Sequence, residues 1–351
     1  METVTVHASK TYDVMIGSGL LADAIKCLSP ILSGGAAMIV SDDRVFPLYG
    51  KTLLSALQAN GIKAASFVFA NGESSKNADT YIALLNAMAE NGMTRTDTVI
   101  ALGGGVTGDM AGFAAATYMR GINFVQVPTT VLAAVDSSVG GKTAIDLKAG
   151  KNLAGVFYQP DLVLCDISTF DTLDGSVFTD GIAEIIKHAI LADGELKQLL
   201  AYPIQSNLEA VVAHNVRIKR DVVEEDEREA GKRKLLNLGH TVGHALEILS
   251  GFQLTHGQAV SIGTCIMARI CAKSGVCKPS VAEEIIALCK FHGLPTDTSY
   301  TARQIADIAR LDKKRKSDDI TLIWIEDFGR CVLRDIRMDA YENLLRLALP
   351  Q

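Results

Sequence analysis

A chain of 351 residues is long for one hydrophobic core, so two domains of ordinary size are expected; with 48% hydrophobic and 21% charged residues and 8 prolines, long disordered tracts are excluded. The net charge of −6 and pI near 5.7 argue against a general binder of the nucleic-acid backbone, yet allow small anions in a locally basic pocket. No apolar run reaches membrane length, the opening Met-Glu-Thr-Val-Thr-Val carries no leader-like pattern, and the 7 cysteines form no Cys-x-x-Cys pair, so a cytoplasmic protein with reduced thiols and no membrane partner is expected.

Taken in chain order, residues 36–40, 66–69 and 98–102 are short β-branched runs separated by amphipathic stretches, and 123–127 and 162–165 are further strand candidates. The alternation predicts an α/β fold whose Rossmann-like, dinucleotide-binding domain spans 1–160, with ligands outside the carboxyl ends of parallel strands. After about Pro160 the period becomes helical at 181–191, 208–224, 234–249, 258–274 and 281–289, which predicts a mainly α-helical domain over 161–351 and a cleft between the two.

The run 98–102 passes into Gly103-Gly-Gly-Val-Thr-Gly-Asp109 and then a small-residue helix over 110–118. Gly103, Gly105 and Gly108 complete Gly-x-Gly-x-x-Gly, and glycines let a backbone approach a pyrophosphate whose charge is favoured by free amides at a helix start. A lone match is weak evidence, because a tight turn with no ligand reads the same way. No acidic residue lies about 20 positions on to hold a ribose, which makes Asp42, after the strand ending at Val40, the better candidate. Gly72-Glu-Ser-Ser-Lys76 is either an adenosine contact, through Glu73 and Lys76, or a solvated loop.

Gln126-Val-Pro-Thr-Thr130, Asp136-Ser-Ser-Val-Gly-Gly-Lys-Thr143 and Gly150-Lys-Asn152 follow, dense in small donors and cations. Gly-Lys-Thr fails as a nucleotide P-loop because position 136 holds aspartate where glycine is required. Lys142 and Lys151 instead suit a phosphorylated or carboxylated substrate, the alternative being solvated surface lysines.

On a helix over 234–249, His240, His244 and Glu247 fall opposite Leu235, Leu238, Val242, Ala245, Leu246 and Leu249, with Gly239 and Gly243 flanking the polar stripe. Histidines one turn apart can share a metal, but Thr241 stands where a zinc peptidase has its glutamate, so that reading is disfavoured. His256 precedes the next helix, and Glu184 lies upstream with Lys187 and His188 on one helical face. Glu184 with two of the histidines would give three protein ligands and an open position, the pattern of a catalytic metal. Spacing leaves open whether His240 pairs with His244 or with His256.

The combination of Gly103–Gly121 glycine turn and helix, Val127-Pro-Thr-Thr, Asp136–Thr143, Gly150-Lys-Asn152, Asn237-Leu-Gly-His-Thr-Val-Gly-His-Ala-Leu-Glu247 and Thr255-His-Gly closely resembles the 3-dehydroquinate synthase family of sugar phosphate cyclases, in order and over essentially the full length. The resemblance implies bound NAD and a divalent metal, zinc or cobalt, with Glu184, His240 and His256 as metal ligands and His244 as a proton-handling residue of the substrate site. It implies NAD contacts from Asp42, Glu73, Lys76, Gly104, Gly105, Val106, Asp109, Thr129, Thr130, Asp136, Lys142 and Lys151. A small phosphorylated sugar-acid substrate is implied to meet Asp136, Lys142, Asn152, Lys187, Lys219, Arg233, Asn237, His244 and the late basic Lys314, with Arg120 reaching a phosphate across a homodimer interface. Arg44 departs from the small polar residue some members carry after the ribose aspartate. The implied reaction converts 3-deoxy-D-arabino-heptulosonate 7-phosphate into 3-dehydroquinate and phosphate in the shikimate pathway. The rivals are another cyclase such as 2-deoxy-scyllo-inosose synthase, a metal-dependent polyol dehydrogenase, or a ligand-binding regulator without catalysis.

Overall fold

The structure is a computed structural model and describes all residues except Ser33, Asp193, 314–318, Pro350 and Gln351. They group into two compact units: unit 1 holds Met1–Leu173 with Val212–Arg228, and unit 2 holds Asp174–Val211 with Glu229–Gln351. Lys314 lies outside the described residues.

Unit 1 opens with the hairpin β1 (Glu2–His7) and β2 (Thr11–Gly17), and then alternates α1 (Ala24–Leu28), β3 (Ala37–Asp42), α2 (Lys51–Ala59), β4 (Ala64–Phe69), α3 (Ala78–Glu90), β5 (Thr98–Gly103), α4 (Gly105–Thr117) and β6 (Asn123–Pro128). A second hairpin, β7 (Lys142–Leu147) and β8 (Gly150–Phe157), precedes β9 (Leu162–Asp166). Seven strands form one sheet in the order β1-β2-β9-β6-β5-β3-β4, antiparallel between β1 and β2 and parallel elsewhere. The central strands β3 and β5 are buried along their whole length because helices cover both faces, as a parallel sheet requires. Alternate residues divide between two cores: Met38, Val40, Val99 and Ala101 pack with residues of α3 and α4, while Ala37, Ile39, Ile100 and Leu102 pack with those of α1 and α2. The strand β9 completes this sheet, which is why unit 1 runs on to Leu173.

The β7–β8 hairpin stands where the sequence shows only glycine-punctuated loops. Nearly every residue of β8 is exposed, so the strand has no period-2 alternation to reveal it.

Unit 2 contains α5 (Gly175–Ala192), α6 (Gly194–Leu199), the start of α7 (Leu208–Glu225), α8 (His240–Leu249), α9 (His256–Lys273), α10 (Pro279–Phe291), α11 (Ala302–Lys313), the hairpin β10 (Asp319–Asp327) and β11 (Arg330–Arg337), and α12 (Met338–Ala348). Residues of α7 from Val212 onward group with unit 1. The central helix is α9, packed against α5, α8, α10 and α12 and apolar nearly all round, as a core helix must be.

The helix expected over 234–249 is interrupted. Residues Lys232–Asn237 form a tight 3-10 turn, Gly239 takes a left-handed φ of 79°, and α8 begins at His240. The periodic leucines at 235 and 238 mimic a longer helix, but a glycine in left-handed geometry ends one repeat and starts another. What approaches the glycines is α9: a side chain at Gly239 would meet the Val260 carbonyl oxygen at 2.7 Å, and one at Gly243 the Ala259 carbonyl oxygen at 3.2 Å. Gly239→Ala therefore combines left-handed strain, about 1–2 kcal/mol, with a backbone collision of about 1–3 kcal/mol. A loss of about 2–5 kcal/mol is expected in urea unfolding, and a change below about 0.5 kcal/mol would contradict this packing.

Candidate metal centre and cofactor cradle

In unit 1 the chain leaves β3 for β4 on one side and leaves β5 for β6 on the other, so the crevice outside the carboxyl ends of β3 and β5 is the switch point at which open α/β sheets bind ligands. Asp42 and the turn Gly103–Gly105 lie at those ends. The helix α4 starts at Gly105, five residues ahead of the expected 110, and its N-cap Gly104 offers no side chain, which leaves the first-turn amides for an anion. The Thr129 amide donates to the Gly103 carbonyl at 3.0 Å, while the Thr129 hydroxyl is buried with no partner among the described residues. Thr130 caps the next turn, its hydroxyl accepting from the Ala133 amide at 3.2 Å. A side-chain-free turn beside an orphaned buried hydroxyl fits a bound dinucleotide.

The Asp42 carboxylate accepts the amides of Arg44 and Val45, both at 2.9 Å, and so also shapes its own loop. Lys76 is not a solvated loop residue. It is buried, with Nζ donating to Asp109 Oδ2 and Asn152 Oδ1, each at 2.5 Å. Burial opposes its charge, but the Asp109 carboxylate outweighs that and holds Lys76 above the usual lysine range. Asn152 has a left-handed φ of 57°, fixed by its amide donating to Asp146 Oδ1 at 2.8 Å. Lys219, on α7, is buried and pairs with Asp136 through both its carboxylate and its carbonyl. Glu73 and Lys151 stand 3.8 Å apart at the surface, Lys142 opens β7 on its exposed side, and Arg120 is exposed in a turn where both Met119 and Arg120 have positive φ.

Unit 2 gathers the second set. Glu184 and Lys187 lie on α5, fully buried and ion-paired with each other. His240 and His256 are the first residues of α8 and α9. The Nε2 atoms of His240 and His256 approach Glu184 Oε1 at 3.7 and 3.4 Å, and one ligand atom from each of the three residues lies within 4.8 Å of the others. The geometry brings His256 together with His240 and Glu184, and it also groups His256 with His244 and Glu247. On each ring Nδ1 faces a partner, the Leu238 carbonyl at 3.1 Å from His240 and Glu247 Oε1 at 3.7 Å from His256, so Nε2 of each is turned toward Glu184. This donor set, with each ring held at Nδ1 and its Nε2 toward the carboxylate, fits a catalytic metal site. Sequence periodicity placed Glu247 on the histidine stripe without a role; the structure gives it one, against His256.

His244 is exposed, its ring centroid 5.5 Å from that of His240 and 6.1 Å from that of His256. Arg233 is buried in the turn before α8, and Asn237 donates from Nδ2 to Glu229 Oε1 at 2.7 Å. Sequence reading missed Glu229 and also Asp180, which binds the start of α9.

The family models for the N-terminal and C-terminal parts of 3-dehydroquinate synthase match residues 66–180 and 181–315. A 3-dehydroquinate synthase of Pelobacter propionicus is 41% identical over 359 residues, covering 99% of both chains. The chain belongs to the 3-dehydroquinate synthase family. Its fold is shared with 2-deoxy-scyllo-inosose synthase complexed with carbaglucose-6-phosphate, NAD+ and Co2+ (TM-score 0.89, 24% identity, 99% of this chain and 100% of that one). A further likeness is to 2-epi-5-epi-valiolone synthase from Streptomyces hygroscopicus subsp. jinggangensis 5008 with NAD+ and Zn2+ bound (TM-score 0.86, 26% identity, 97% and 98%).

In this member of the 3-dehydroquinate synthase family, His240 and His256 differ in charge state. Burial holds His240 well below the usual imidazole range, with the Lys187 cation adding to it against Glu184. At His256 burial is overcome by Glu184 and Glu247, which push the pKa to about 10. The metal-free site thus carries a proton on His256 at neutral pH that an ion must displace. Zinc titrated into metal-free protein at pH 7.5 is expected to release about one proton, and its affinity to rise with pH towards 10; titrations in buffers of different ionisation enthalpy measure this, and zero release would contradict it. By the same geometry His240→Ala is expected to lose bound metal, whereas His244→Ala keeps most of it. Equal loss in both, read by metal analysis of purified protein, would refute the ligand assignment.

Proposed function

We propose that the chain converts 3-deoxy-D-arabino-heptulosonate 7-phosphate into 3-dehydroquinate and inorganic phosphate, as an NAD- and metal-dependent carbon–oxygen lyase of the shikimate pathway. The observation that carries this reading is the convergence of Glu184, His240 and His256 in a chain alike over 99% of its length to a 3-dehydroquinate synthase. NAD is assigned to Asp42, Glu73, Lys76, Gly104, Gly105, Val106, Asp109, Thr129, Thr130, Asp136, Lys142 and Lys151, and zinc or cobalt to Glu184, His240 and His256. When bound, these groups supply a recyclable hydride acceptor and a Lewis acid.

The protein's own residues handle charge and protons. A substrate bearing both carboxylate and phosphate needs fixed cations, and Lys142, Lys187, Lys219 and Arg233 are proposed to provide them, with Asn152 and Asn237 binding hydroxyls. Lys187, Lys219 and Arg233 are buried, so their charges act in a medium of low dielectric and need little reorganisation. An imidazole nitrogen of the exposed His244 takes the proton of the reacting hydroxyl. The cations hold the phosphate while its own oxygen removes the neighbouring carbon-bound proton and the carbon–oxygen bond breaks; ring opening and intramolecular aldol closure follow without net oxidation. The protein is proposed to act in the cytoplasm as a homodimer, without nucleic-acid or membrane partners, Arg120 of one copy serving the phosphate of the other. The exposed strand β8, with Leu153 and Val156 open to solvent, supports self-association. Among the described residues no helix is long and apolar enough to cross a membrane.

A phosphate-release assay on the heptulosonate phosphate, with and without NAD and chelator, tests the proposal. Phosphate is expected to be released only with both groups present, and without accumulation of NADH. One NADH per substrate would identify a dehydrogenase instead.

A further inference from the structure

The helices that carry Glu184 and His256 are also joined by a contact that involves neither side chain. Asp180 lies on α5 one turn before Glu184, and its Oδ1 accepts from three donors at the start of α9: the Gly257 amide at 2.6 Å, the Gln258 amide at 3.3 Å and the Thr255 hydroxyl. Thr255 and Gln258 close a capping box on the same turn, with the Thr255 amide donating to Gln258 Oε1 at 3.2 Å and the Gln258 amide donating to Thr255 Oγ1 at 3.4 Å. The helix is therefore capped twice, once by its own residue and once by a carboxylate from α5. A side chain at Gly257 would run into the Asp180 main chain, so glycine is what allows the two backbones to meet there. His256 sits between Thr255 and Gly257, both held by Asp180, and it is the ligand whose Nε2 lies 3.4 Å from Glu184.

We propose that Asp180 is a positioning residue for the metal: its carboxylate clasps the first turn of α9 to α5 and so sets the Glu184–His256 spacing that a divalent ion requires. The proposal rests on the metal reading of Glu184, His240 and His256. It assigns to Asp180 no contact with ion or substrate. A cap that served only to stabilise α9 would act on unfolding and leave the ion's surroundings alone; a clasp acts on the ion's affinity and ligand field.

Metal-free wild type, Asp180→Ala, Asp180→Asn, Thr255→Val and His240→Ala are titrated with Zn2+ against a chromophoric chelator, and the visible absorption of each is recorded at saturating Co2+. Asp180→Ala is expected to bind Zn2+ about 10–100-fold more weakly and to shift the Co2+ bands. Asp180→Asn keeps an oxygen that accepts from Gly257 and Thr255, and is expected to recover most of both. Thr255→Val removes one donor and is expected to weaken binding about fivefold, which carries the test if Asp180→Ala does not fold. Affinity within twofold of wild type and unchanged Co2+ bands in Asp180→Ala and Thr255→Val, with His240→Ala still losing the ion, overturn the clasp alone. A wild type that binds no ion, or His240→Ala binding as tightly as wild type, overturns the metal reading and the clasp with it.

Discussion

The constraint on which unit 2 turns is the burial of the Glu184 carboxylate, which has no solvent exposure. An isolated buried carboxylate would cost several kcal/mol, and such a group survives ionised only among compensating charges and donors. Lys187 supplies one compensating charge from the next turn of α5, and His256, drawn to a pKa of about 10, supplies another. Exchanging the His256 proton for a divalent ion would leave the carboxylate compensated, with one further positive charge and with Lewis acidity. Without those cations the buried carboxylate would lose the charges that offset its desolvation.

Helix termini make the arrangement precise in direction. His240 and His256 both open helices, α8 and α9, and an imidazole at the positive end of a helix resists protonation, which suits a neutral ligand. At His240 this tendency runs with burial and the Lys187 cation; at His256 two carboxylates win. Unit 1 repeats the theme of buried cations with fixed partners, in Lys76 with Asp109 and Asn152 and in Lys219 with Asp136. The helix start at Gly105 is left without a side-chain cap.

Much of this was legible in the sequence, for identifiable reasons. The buried strands β3 up to Val40 and β5 up to Leu102 are uninterrupted apolar or β-branched runs, and the glycine turn after β5 announces itself by composition. The start of α4 was misplaced because Gly105 and Gly108 read as turn residues, although a helix can begin on glycines where its first amides are kept open. Leucine periodicity continues through Gly239 and so predicts one helix over 234–249, because a left-handed φ is invisible in a pattern of polarity. Histidine spacing does not choose between His244 and His256, because the approach of His256 to Glu184 joins two helices far apart in the chain. Glu247 was seen as a member of the stripe, but its partner ring came from the following helix.

The account as a whole stands on the identity of the three ligands, since the charge balance at Glu184, the proton on His256 and the proposed lyase chemistry all follow from it. Zinc K-edge X-ray absorption on the loaded wild type and on His244→Ala counts the imidazoles that each zinc shell holds. Two imidazole nitrogens and one or two carboxylate oxygens, the same in both proteins, are the predicted result. A shell containing three imidazoles, which would draw in His244 and leave Glu184 outside, would contradict it.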